Sequence, residues 1–166
     1  MTNPDYKLLN SQYIALVDNE TDALANASNF VGLMFNSIDT INWLGIYLLR
    51  GDELVLGPFQ GQPACVRIAL GNGVCGTAAA TLRTQRVADV HEFPGHIVCD
   101  ADSRSELVVP LIVGEKLIGV LDIDSPVLNR FSAADQEGFE MLCQTFCEVL
   151  KGSEPNRDSL LISFKN

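Results

Sequence analysis

Long apolar runs are missing from this 166-residue chain, and with them any helix able to cross a bilayer, so no membrane association is expected. Basic charge is scarce too: 11 Lys and Arg stand against 21 Asp and Glu, a formal charge of −10. No cluster of Lys and Arg occurs, which excludes a phosphate backbone, and hence nucleic acid, as a partner. The opening MTNPDYKLLNSQY has neither the basic start nor the apolar centre of a secretory signal, so a cytoplasmic location is expected. Repeats, low-complexity blocks and linkers are also absent. A hydrophobic content of 47% is enough for one good core, so residues 1–150 read as one domain and 151–166 as an unassigned C-terminal tail.

Several motifs are missing as well. HEFPGHIVC offers His91, His96 and Cys99 without the paired spacing of zinc ligands, so no metal is expected. Gly71-Asn72-Gly73 lacks the lysine of a phosphate loop and reads as a tight turn before a helix. Ser103 and Ser105 have no nucleophile elbow around them. Five cysteines remain: Cys65, Cys75, Cys99, Cys143 and Cys147. In a reducing compartment these are packing residues, metal ligands or redox thiols rather than structural disulfides. Cys143 and Cys147, four apart in an apolar helical pattern, read as packing.

What is present is an alternation of helices and hairpins. YKLLNSQYIALV has helical apolar spacing, and ETDALANASNFVGLMFNSI follows a Thr-Asp cap with a second apolar stripe. INWLGIYLL and ELVLGPF form two strands around RGD, and CVRIAL is a further strand. GNGVCGTAAATLRT reads as a turn feeding a short helix, with a brief RVADV strand and a polar loop over 91–105 after it. ELVVPLIV and LIGVLDID make a second hairpin around GEK. Ser132, with Asp135 three positions on, caps the last helix. Helices at both ends with antiparallel hairpins between them define an α+β domain.

Side chains alternate across a strand, so Trp43 and Tyr47 share one face, and Leu44, Ile46 and Leu48 the other. Asp122 and Asp124 likewise share a face opposite Leu121 and Ile123. Two acids on one face of a strand, if buried, need a cationic partner. Aromatic walls with carboxylates suit a small cation such as an α-ammonium, which a free amino acid carries and a peptide-bound residue does not.

NWLGIYLL, GNGVCGTAA, HIVCDADSRSELVVPL and GVLDIDSP resemble the free methionine-(R)-sulfoxide reductases, a family built on the GAF domain. The resemblance covers about residues 10 to 150. It implies a GAF domain with a six-stranded antiparallel sheet flanked by helices on both faces, a homodimer, and no cofactor. It further implies that free methionine-(R)-sulfoxide is reduced, and that thioredoxin or a similar dithiol regenerates the enzyme. Trp43, Tyr47, Glu106, Asp122 and Asp124 match the family's substrate-binding positions, with Trp43 facing the S-methyl group. Glu106 or Asp124 would donate the proton to the departing oxygen.

The same resemblance makes Cys99 the attacking thiol, Cys65 the main resolving thiol and Cys75 an auxiliary partner. The residues alone favour Cys75 as nucleophile, since a helix start stabilises a thiolate. Cys99 stands beside Asp100 and Asp102, which hold a thiol protonated, with Arg104 as a partial offset. The acids then serve the substrate, whose ammonium neutralises them on binding. A GAF sensor that binds a small ligand without turnover is the alternative from another class.

Overall fold

The computed structural model describes residues 4–95 and 102–152. Cys99, with His96 and Asp100, lies outside the described residues, as does the tail from residue 153. The described chain forms four α-helices and six strands in one antiparallel sheet. The elements are α1 (Tyr6–Leu16), α2 (Ala23–Ser37), β1 (Trp43–Arg50), β2 (Glu53–Gln60), β3 (Arg67–Ala69), α3 (Gly73–Thr81), β4 (Gln85–Val87), β5 (Ser105–Val113), β6 (Lys116–Ser125) and α4 (Ala133–Gly152). The sheet order is β3-β2-β1-β6-β5-β4.

Short polar side chains start the helices. Asp5 accepts from the Leu8 amide at 3.0 Å and Asp22 from the Ala25 amide at 2.8 Å, so Asp22 supplies the cap that Thr-Asp announced. At α4 the capping box forms as expected. The Ser132 amide donates to Asp135 at 2.7 Å, and the Asp135 amide donates to the Ser132 hydroxyl at 3.1 Å. Arg130 and Tyr6 also bind the Asp135 carboxylate, at 3.4 and 2.6 Å, which ties α1 to the start of α4. The two hairpins turn on Gly51 and Gly114, each at positive φ.

The sheet separates two apolar layers. On one side α1, α2 and α4 pack over Leu44, Ile46, Leu48, Leu107, Leu121 and Ile123, around a cluster of Tyr13, Phe30 and Phe146. Cys143 and Cys147 are buried in this layer, in keeping with a packing role. On the other side α3 lies over β5 and β6, and Val74, Cys75 and Ala78 join Trp43, Tyr47, Val108 and Val120. Helices therefore cover both faces, and the alternation read from NWLGIYLL and LIGVLDID holds residue by residue. One boundary differs: β3 begins at Arg67, so Cys65 sits in the loop before the strand and does not open it.

Candidate active site

Register assembles the site on the α3 side of the sheet. Trp43 pairs with Asp124 and Asp124 with Glu106, so these three stand in one row across β1, β6 and β5. The next row is Gly45, Asp122 and Val108, and the one after it holds Tyr47 and Val120. Directly opposed residues of an antiparallel pair point to the same face. Two carboxylates on the central strand thus lie between an aromatic wall and a third carboxylate.

The wall is stacked. Trp43 lies against Phe59 with ring centroids 5.5 Å apart, and against Tyr47 at 5.8 Å. Gly45 makes room for it, because a Cβ there would meet the Trp43 ring at 2.3 Å. Both polar handles point the same way: the Trp43 indole donates to the Gln62 carbonyl at 3.0 Å and the Tyr47 hydroxyl to the Cys65 carbonyl at 2.9 Å. The loop that carries Cys65 is therefore fastened to the pocket wall at two points. Cys65 itself is disulfide-bonded, while Cys75, Cys143 and Cys147 keep free thiols.

The floor is acidic and buried. Glu106 is 6% exposed, Asp122 7% and Cys75 4%. The Cys75 thiol donates to Glu106 at 3.9 Å, and one donor atom from each of the three lies within 4.8 Å of the others. Among the described residues no ion pair reaches Glu106 or Asp122, and Asp122 Oδ1 is buried without a hydrogen-bond partner. Burial, reinforced by Asp122 and Asp124, raises the Glu106 carboxyl well above the ordinary range, and burial pushes Asp122 up to about 6. Among the described residues, no side chain supplies the cationic partner expected for buried acids.

Cys75 corrects one expectation. It lies in the first turn of α3, but desolvation, with Asp122 and Glu106 next to it, raises its thiol well above the usual value. Burial among acids overrides the helix dipole, whose worth is ordinarily below about 2 kcal/mol. Phe59 and the Gln62 carbonyl were not legible as site groups. The one available signal was the alternation of β2, which puts Phe59 opposite Gly45 once the register is known. Ser103 accepts from Asn42 at 3.1 Å and Ser105 donates to the Val127 carbonyl at 2.6 Å, which are structural bonds. His91 is exposed and bonded to Asp89 at 2.9 Å.

This curled antiparallel sheet with its one-sided pocket is a GAF domain, and the GAF domain family model matches residues 6–149. The free methionine-R-sulfoxide reductase of Escherichia coli (strain K12) is 52% identical over 145 residues, 87% of this chain and 88% of that protein. The Staphylococcus aureus fRMsr in complex with substrate matches with a TM-score of 0.85 at 48% identity, covering 90% of this chain and 97% of that one. The free methionine-R-sulfoxide reductase from Neisseria meningitidis, also in complex with its substrate, matches with a TM-score of 0.85 at 40% identity, covering 93% and 91%. The chain belongs to the free methionine-R-sulfoxide reductases of the GAF-domain family.

Proposed function

We propose that this chain reduces free L-methionine-(R)-sulfoxide to methionine with its own thiols, which an external thioredoxin-type dithiol then restores. The observation that carries the reading is the row of Trp43, Asp124 and Glu106 with Asp122 beside it, in which Trp43, Glu106 and Asp122 are buried and, among the described residues, no cationic side chain pairs with Glu106 or Asp122. A free amino acid supplies the missing cation through its α-ammonium, and its S-methyl group suits the stacked aromatic wall. A peptide-bound methionine sulfoxide brings no such charge.

In this reading Asp122 and Asp124 hold the ammonium. Glu106, whose carboxyl burial raises well above the ordinary range, gives its proton to the sulfoxide oxygen as the Cys99 thiolate attacks the sulfur. The S–O bond breaks, oxygen passes to Cys99 as a sulfenic acid, and methionine leaves with its sulfur reduced. The Cys65 thiol then attacks the sulfenic sulfur, its proton and the sulfenic hydroxyl leave together as water, and a disulfide forms. That Cys65 is disulfide-bonded while Cys75 is free supports Cys65 as the resolving thiol. Dithiol exchange reopens the bond. The catalytic unit is residues 1–150, acting in the cytoplasm as a homodimer, with the tail outside the chemistry.

The test follows NADPH consumption with thioredoxin and its reductase on free methionine-(R)-sulfoxide, the (S) form and the N-acetylated (R) form. Turnover of the free (R) form alone is expected. Equal use of the acetylated form would overturn the ammonium role, and no turnover of any form would favour a ligand-binding GAF sensor.

A further inference from the structure

We infer that Cys75, Glu106 and Asp122 form a binding site for a thiophilic divalent cation, of which Zn²⁺ and Cd²⁺ are the natural probes. One donor atom from each residue lies within 4.8 Å of the other two. The donors come from α3, β5 and β6, so their placement is set by packing of a helix on a sheet and not by one loop. All three residues are more than nine-tenths buried. Asp122 Oδ1 accepts nothing although it is shut away from water, and an acceptor in that state is completed by a cation as readily as by a donor.

The donor set chooses the metal. One sulfur and two carboxylate oxygens suit a tetrahedral ion that takes sulfur at about 2.3 Å and oxygen at about 2.1 Å and leaves a fourth position open. Drawing the donors onto such an ion needs side-chain shifts of about 1 Å. Mg²⁺ and Ca²⁺ prefer shells of six or more oxygens and gain little from a thiol. On binding, the Cys75 proton and any on the carboxyls leave to solvent. The deprotonated sulfur and carboxylates then surround a dication.

The same carboxylates would meet the substrate's ammonium, so the cation is a competitor for the pocket; that clause rests on the function proposed above, whereas the metal site rests on the donors alone. Zinc at this place would slow the enzyme without being a cofactor.

The protein with Cys65 in its disulfide is suited to the test, because Cys75 is then the free thiol in the pocket. Titration with Cd²⁺ is expected to raise an ultraviolet sulfur-to-metal charge-transfer band that saturates at one ion per chain and is not reversed by excess Mg²⁺. The band should vanish in Cys75→Ser. In Asp122→Asn, which keeps the thiol, affinity should fall at least about tenfold, or ~1.4 kcal/mol. Absence of the band, or its persistence in Cys75→Ser, would overturn the site. If circular dichroism shows that Cys75→Ser is unfolded, Asp122→Asn decides, and unchanged affinity there overturns it. Free L-methionine should weaken Cd²⁺ binding. A cation that binds as described but ignores methionine leaves the metal site standing and removes the ammonium role.

Discussion

The Tyr47 hydroxyl donates to the backbone carbonyl of Cys65 at 2.9 Å, so a wall of the pocket also holds a disulfide cysteine in place. Trp43 does the same to Gln62 three residues earlier, at 3.0 Å. In the function proposed above, substrate recognition and thiol placement are carried by the same two rings.

Tyr47→Phe separates the two roles, because it keeps the ring and removes the donor. Losing a neutral hydrogen bond costs about 1 kcal/mol, so disulfide formation after turnover should slow about fivefold. The first release of methionine should stay unchanged. Rapid-quench sampling of methionine against free thiol separates the steps, and equal slowing of both would sink the positioning role.

Cys99→Ser is expected to abolish methionine formation in a single turnover, whereas Cys75→Ser should retain it. The raised Cys75 thiol is a poor nucleophile in its buried, acid-flanked place. Loss of the single turnover in Cys75→Ser alone would reverse the assignment.

Asp122 links the pocket to stability. Its carboxyl is pushed up to about 6 when folded, against ~4 when unfolded, so between those values the folded state binds more protons. Stability contributed by this group therefore falls as pH rises through that window, and the loss persists above it. Asp122→Asn should raise the unfolding free energy of the ligand-free protein by about 1–3 kcal/mol at pH 7 and by much less at pH 4. Denaturant unfolding of both proteins across that range reads the difference, and a variant less stable at pH 7 would contradict it.

Gly45→Ala should damage the site through the wall. The added Cβ would meet the Trp43 ring at 2.3 Å and the Phe59 Cβ at 2.6 Å, so the indole must leave its stack. A cost of about 1–3 kcal/mol is expected, with a KM for free methionine sulfoxide that rises more than kcat falls. An unchanged KM would show that Trp43 does not line the bound substrate.

Much of this was legible before any coordinates, for local reasons. Alternation separates Trp43 and Tyr47 from Leu44, Ile46 and Leu48, and a serine three residues before an aspartate is enough to start α4. Register was not legible: that Glu106 stands beside Asp124, and Phe59 beside Gly45, follows from pairings between strands far apart in the chain. The surroundings of Cys75 were hidden for a related reason. A helix start is visible in sequence, whereas the carboxylates that come to face it from β5 and β6 are not.

The sheet keeps its two layers chemically separate, since the buried apolar side chains of β1 and β6 face either the three-helix core or the pocket. A mutation that alters the pocket's charge or shape thus leaves the Tyr13, Phe30 and Phe146 cluster untouched. Such an arrangement lets descendants of the chain exchange one ligand for another, or turnover for mere binding, without first losing the ability to fold.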